Sequence, residues 1–133
     1  RCTMTNLHIK ACLSSKSDDW QTPKDLYDEL DTEFTFDDDP CPLHANFDGL
    51  ARRWGTRTFV NPPYSQIAKW VERAYEEWGI GKLIVMLLPS RTDTYWIHQY
   101  IYGQAEIRFI KGRLKFSGSK NSAPFPSMIV IFR

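Results

Sequence analysis

The sequence predicts an α/β domain: a mixed but mainly parallel sheet with helices on both faces and a hairpin near the C-terminus. Three observations carry that reading. Helical and extended segments alternate along the chain, the order expected of strand-helix-strand units. Lys82 to Leu88 is a continuous apolar run between Gly81 and Pro89, as expected of a central strand covered on both sides. Ile67, Trp70, Val71, Ala74, Tyr75 and Trp78 recur at helical spacing, so one face of that segment must be buried.

Residues 1–18 show no sustained periodicity and read as a mobile arm, with the domain proper running from 19 to 133. Thr22-Pro23-Lys24-Asp25 has the form of a helix start: Thr22 as N-cap, Pro23 in the first turn, and an acid where the dipole favours one. Phe34-Thr35-Phe36 alternates into Asp37-Asp38-Asp39, which predicts a short strand ending in carboxylates before Pro40-Cys41-Pro42 breaks it. Arg57 to Val60 predicts the next strand. Ser65 then caps the helix that Gly79 and Gly81 end. Thr92 or Asp93 starts a third helix through Ile101, and Ala105 to Ile110 reads as a strand. Lys111-Gly112-Arg113 turns into Leu114-Lys115-Phe116 to make the hairpin, and Ser127 to Phe132 closes the sheet.

A chain of 133 residues, 42% hydrophobic and 14% aromatic, is long enough for one cored domain and short for two. Cys2, Cys12 and Cys41 are odd in number and lack metal-ligand spacing, which argues against a disulfide framework or a zinc centre and fits a reducing, cytoplasmic setting. No apolar run is long enough to span a bilayer. The net charge of +1 hides an asymmetry: eleven acids face one base between Asp18 and Asp48, while six bases face one acid from Ala105 onward. An acidic front can hold a cation and a basic back can follow phosphates, although both runs also suit solvated faces.

Asn61-Pro62-Pro63-Tyr64 lies directly behind one strand and ahead of one helix, at the sheet edge where open α/β folds hold ligands. The two prolines stiffen the loop. An amide oxygen on Asn61, the Pro62 carbonyl and the Tyr64 ring then suit a planar molecule with an exocyclic NH2 group: two acceptors for its hydrogens and a surface for stacking. A tight turn with a buried tyrosine is the plainer alternative.

Seven blocks in order resemble the phage-type, Dam-like DNA adenine-N6 methyltransferases. They are Trp20-Gln21-Thr22-Pro23, Asp39-Pro40-Cys41, Gly49-Leu50 with Trp54, Phe59 through Ser65, Leu87-Leu88-Pro89 with Thr92-Asp93-Thr94, Gly112 through Phe116, and Pro124 through Ser127. The resemblance implies a Rossmann-like class I methyltransferase fold, S-adenosylmethionine as cofactor and DNA as partner. It implies Asn61, Pro62, Pro63 and Tyr64 as the catalytic loop, receiving an adenine flipped from the helix. Trp20, Thr22, Pro23, Asp39, Pro40 and Cys41 are implied around the methionine end of the cofactor, and Asp48 near its ribose or adenine. NPPY also occurs in enzymes that methylate a protein glutamine amide, and a catalytically idle DNA-binding relative is a third reading.

The chain departs from larger methyltransferases in lacking a glycine-rich turn after the first strand. Only about twenty residues separate Asp39 from the NPPY loop, too few for two further crossovers, so the sheet should be truncated on its cofactor side. A homo-oligomer is one way to complete such a pocket. Arg91, Lys111, Arg113, Lys115 and Lys120 are the candidate DNA contacts, the lysines reading equally well as strand-edge guards. His44 and His98 are read as chemically idle, and no metal is expected.

Overall fold

The computed structural model describes residues 20–43 and 45–133, so the predicted arm over 1–18, Cys2, Cys12 and His44 lie outside the described residues. Helix α1 (Lys24–Phe34) leads into strand β1 (Arg57–Val60), helix α2 (Ile67–Gly79) and strand β2 (Leu83–Pro89). A π-helical turn (Ile97–Ile101) precedes β3 (Glu106–Phe109), and β4 (Ser127–Phe132) ends the sheet. Strand order is β1-β2-β4-β3.

One pairing is parallel, β1 with β2; β4 runs antiparallel to both β2 and β3. The sheet is mixed as expected: β1, β2 and β3 run in one direction and β4 against them, so two of the three ladders are antiparallel. Two connections are crossovers between strands of one direction, β1-α2-β2 and the link from β2 through the π turn to β3, and the long segment after β3 brings the chain back to insert β4 antiparallel between β2 and β3.

Side chains alternate across this sheet with period two. Val60, Ile84, Met86, Leu88, Val130 and Phe132 face α2 and the π turn, whereas Phe59, Val85, Leu87, Ile129 and Ile131 face Leu30 and Phe34 of α1. Both faces are thus covered, as β2's unbroken hydrophobicity requires.

The departures from expectation have local causes. Thr35 takes a left-handed conformation, φ 54°, and its N–H closes the helix on the Asp31 carbonyl at 2.7 Å. Phe34 is therefore helical, and the predicted strand over 34–36 shrinks to one parallel bridge between Asp38 and Thr58. The predicted hairpin over 111–116 forms no ladder. Leu114 and Phe116 are apolar because they pack under α1, and the Leu114 carbonyl accepts from Ala123 N–H at 2.7 Å to close a loop. Helix α1 has Pro23, not Thr22, at its N-cap position. Helix α2 starts at Ile67 after a 3-10 turn (Tyr64–Gln66), so Ser65 is not its cap.

Strand register gathers the loops. Val60, Pro89, Phe109 and Ser127 all end or begin strands at the same edge, because Pro89 pairs with Ser127, and Phe109 with the next residue, Met128. The NPPY loop, Ser90-Arg91 and the long loop over 110–126 therefore meet at one end of the sheet.

Candidate active site

At that end Asn61 is held by its nitrogen. Its Nδ2 donates to the Trp20 carbonyl and to Thr22 Oγ1, the latter at 3.0 Å. A backbone carbonyl can only accept, so the NH2 group must face Trp20, which fixes the orientation of the amide. Asn61 Oδ1 is buried and has no hydrogen-bond partner among the described residues.

Asn61 borders a cleft of about 340 Å³ lined also by Trp20, Thr22, Asp39 and Cys41, with Tyr27 and Phe59 among the remaining walls. Four of the seven residues implied for cofactor binding thus share one cavity with the NPPY amide. Pro23, Pro40 and Asp48 do not line it. Pro23 sits at the start of α1, and Asp48 caps a 3-10 turn (Gly49–Ala51) through Leu50 N–H at 2.9 Å. Gly49 passes so near the Pro40 carbonyl that a Cβ would lie 1.9 Å from its oxygen.

The acids Asp37-Asp38-Asp39 divide between structure and cleft. Asp37 accepts from Arg57 N–H at 3.0 Å. Asp38 takes both Arg52 guanidinium nitrogens at 2.8 and 2.9 Å and the Gly55 N–H at 2.8 Å. Asp39 accepts one bond, from Cys41 N–H at 3.1 Å, and forms no ion pair with a described base. Desolvation, with the Asp38 charge adding to it, pushes the Asp39 carboxyl up to about 7 against the Cys41 hydrogen bond. Such a group gains from a cation placed beside it.

A second layer secures the cleft. Trp20, Tyr64, Phe116 and Phe125 form one aromatic cluster, with Trp20 to Phe116 at 5.4 Å and Tyr64 to Phe125 at 5.1 Å between ring centroids. Ser117 straps the long loop to this segment: its N–H donates to the Gln21 carbonyl and its hydroxyl to the Thr22 carbonyl, at 3.1 and 3.2 Å. Tyr64 is therefore less free than an outward-facing ring. It is half-buried, and burial pushes its phenol above the usual range while the nearby Arg91 charge pulls it down. Trp20 Nε1, Asn61 Oδ1, Tyr64 Oη, Gln66 Oε1, Ser90 Oγ and Ser127 Oγ are buried without partners among the described residues, and all belong to this end of the sheet.

Arg91, Lys111, Arg113, Lys115 and Lys120 are exposed and form no ion pair with a described acid, whereas Arg52, Arg73, Lys82, Arg108 and Arg133 are all paired. All five lie on the segments that meet beside the NPPY loop. Among the described residues there is no acidic or histidine-cysteine cluster suited to a metal, and no helix is long and apolar enough to cross a membrane. His98 is exposed and bonds the Thr92 carbonyl at 2.7 Å, consistent with an idle role.

The sequence reading missed Gln21, Lys24, Tyr27, Leu43, Phe59 and Ser117 as cleft residues. Nothing local signals them. It also missed Glu77, fully buried and bound by Lys82 at 2.6 Å, Arg73 and Arg53 at 3.0 Å and Trp54 N–H at 3.3 Å. A signal existed, since Glu77 stands seven residues beyond Trp70 on the apolar stripe of α2.

Comparison with known proteins points the same way. Residues 10–133 match the profile of the family described as DNA N-6-adenine-methyltransferase (Dam). Over 108 residues the chain is 30% identical to a DNA N-6-adenine-methyltransferase of Escherichia phage T1, covering 71% of this chain and 45% of that protein. The chain thus spans less than half the length of that relative. No solved structure matches.

Proposed function

Since the chain belongs to the DNA N-6-adenine-methyltransferase family, we propose that it methylates the exocyclic amine of adenine in DNA, using S-adenosylmethionine, with Asn61 ordering the reacting nitrogen. The observation that carries this is the Asn61 amide: its nitrogen is held by Trp20 and Thr22, its oxygen is buried without a partner among the described residues, and the residue lines the cleft. An exocyclic NH2 group is the donor that such an acceptor lacks.

The cleft suits the cofactor by the chemistry of its lining. Asp39 offers a carboxylate whose ionisation is suppressed until a cation arrives, as the methionine ammonium would. Trp20, Tyr27 and Phe59 supply apolar walls. When bound, the sulfonium cofactor supplies an already activated methyl group. The chain contributes position and polarity. The lone pair of adenine N6 is delocalised into the ring, and an acceptor on one N6 hydrogen returns density to nitrogen as the new N–C bond forms and the C–S bond breaks. The Pro62 carbonyl is the second acceptor in this proposal, and the N6 proton leaves to solvent.

Within a duplex that amine is out of reach, so the adenine must swing out, at a cost of a few kcal/mol, to lie along the Trp20 and Tyr64 wall. Arg91, Lys111, Arg113, Lys115 and Lys120 would hold the flanking phosphates. The fold belongs to the same proposal: a Rossmann-like sheet shortened on the cofactor side. The β1-α2-β2 crossover and the lone Asp38–Thr58 bridge outside β1 support it.

The test is transfer of labelled methyl from S-adenosylmethionine to duplexes with and without adenine. Transfer confined to adenine-containing DNA is expected, and N61A should lose about 100-fold or more in kcat, the scale for removing one aimed polar contact, while still retaining DNA. Label appearing on protein rather than DNA would overturn the proposal.

A further inference from the structure

We infer that Thr22 is a positioning residue for the Asn61 amide, acting through that side chain rather than on cofactor or DNA. The inference rests on the function proposed above. The terminal torsion of an asparagine is broad and roughly two-fold, so nothing in the side chain itself decides which end faces a ligand. A reversed amide would present NH2 to the amine of the base, donor against donor. In this chain the nitrogen is claimed from the protein side by the Trp20 carbonyl and by Thr22 Oγ1 at 3.0 Å, which leaves Oδ1 as the end of the amide without a partner among the described residues.

The two acceptors differ in what a substitution can reach. The Trp20 carbonyl is backbone and survives any side-chain change, so the Thr22 hydroxyl is the element of this clamp that mutation can remove. Its placement is independent of Asn61: the Thr22 carbonyl accepts from Ser117 Oγ and the Gln21 carbonyl from Ser117 N–H, fixing the segment to the long loop. The bond also crosses 39 residues of sequence, so it exists only in the folded chain. With valine in place of threonine the shape is nearly kept and the acceptor is lost. The amide then keeps the Trp20 anchor, which still sets its NH2 end, but loses its second restraint and rocks about that one bond, and a displacement of Oδ1 of this kind acts on the chemical step.

Thr22→Val and Thr22→Ser, compared with wild type, test this by three readouts. For T22V the expected result is a kcat lowered about tenfold, by analogy with the outer partners of other sites, with S-adenosylhomocysteine and DNA affinities within twofold of wild type. T22S, which keeps the hydroxyl, should recover most of that loss. The side-chain NH2 resonances of Asn61 should exchange slowly in wild type and T22S and faster in T22V, a readout that needs no turnover. Weaker S-adenosylhomocysteine binding at unchanged kcat would make Thr22 a cofactor contact and overturn the inference. So would a T22V that matches wild type in kcat and exchange. Should T22V fail to fold, T22A carries the same comparison. A wild type that methylates nothing overturns the functional proposal as well, which separates the two failures.

Discussion

Replacing Asp39 with asparagine should make the ligand-free protein more stable, and increasingly so as the pH rises. In the fold this carboxyl is pushed from its ordinary 3.8 to about 7, chiefly by desolvation. Ionising it in place therefore opposes folding. The sign follows from linkage: with the folded value above the unfolded one, the folded state binds the extra proton, so stability falls as pH rises between the two values. Each tenfold change in proton affinity is worth about 1.4 kcal/mol, so the opposing contribution reaches at most about 4 kcal/mol well above pH 7, against about 2 kcal/mol at pH 5.5. Asparagine keeps an oxygen for the Cys41 N–H and carries no charge. Urea unfolding of wild type and D39N at pH 5.5 and 8.5 measures the difference. The D39N advantage should grow by about 2 kcal/mol between the two. Calorimetry with S-adenosylhomocysteine should show at the same time that D39N binds far more weakly. An advantage that does not change with pH would refute the desolvated-carboxylate account; unchanged binding would remove Asp39 from the cofactor's surroundings.

Glu77→Gln should act in the opposite sense. Burial alone would raise this carboxyl, but hydrogen bonds from Lys82, Arg73, Arg53 and the Trp54 N–H hold it down at about 2, so its contribution is present above the unfolded value of 4.5 and lost as pH falls toward 2. E77Q should cost about 3–5 kcal/mol at pH 7 by denaturant titration, the loss shrinking below pH 4, because it strands cations gathered around a buried anion. For the nucleic-acid face, Arg113→Ala with Lys111→Ala should weaken DNA binding without unfolding the domain. The plot of log affinity against log salt should flatten by about two, and circular dichroism should be unchanged.

What the sequence disclosed was the part governed by local periodicity. Helix α2 and strands β1, β2 and β4 fall where repeating apolar positions put them, because each is amphipathic or fully buried over its whole length. The failures are places where a residue is apolar for a distant reason. Leu114 and Phe116 alternate like a strand, yet they alternate because they pack beneath α1. Phe34 and Phe36 look like strand neighbours, yet a left-handed Thr35 separates a helix end from a loop. Asn61 and Asp39, singled out from type and placement, line one cleft. Thr22 and Trp20 were named for a cofactor, and their bonds to Asn61, about 40 residues away in the chain, have no sequence signature.

The shortened sheet explains why so much falls on residues 20–22. A longer fold has further strands and crossovers with which to wall a pocket, whereas outside β1 the described residues form one bridge, at Asp38. The wall must come from elsewhere. The stretch Trp20-Gln21-Thr22 supplies it, packing its indole on Phe116 and Phe125, giving a carbonyl and a hydroxyl to Asn61, and taking two bonds from Ser117. The loop that carries Lys111, Arg113, Lys115 and Lys120 is thereby fastened to the segment that holds the Asn61 amide. Under the proposed function, phosphate contacts on that loop would bear, through Ser117, on the same three residues, so that the proposed DNA face and the Asn61 amide share one support.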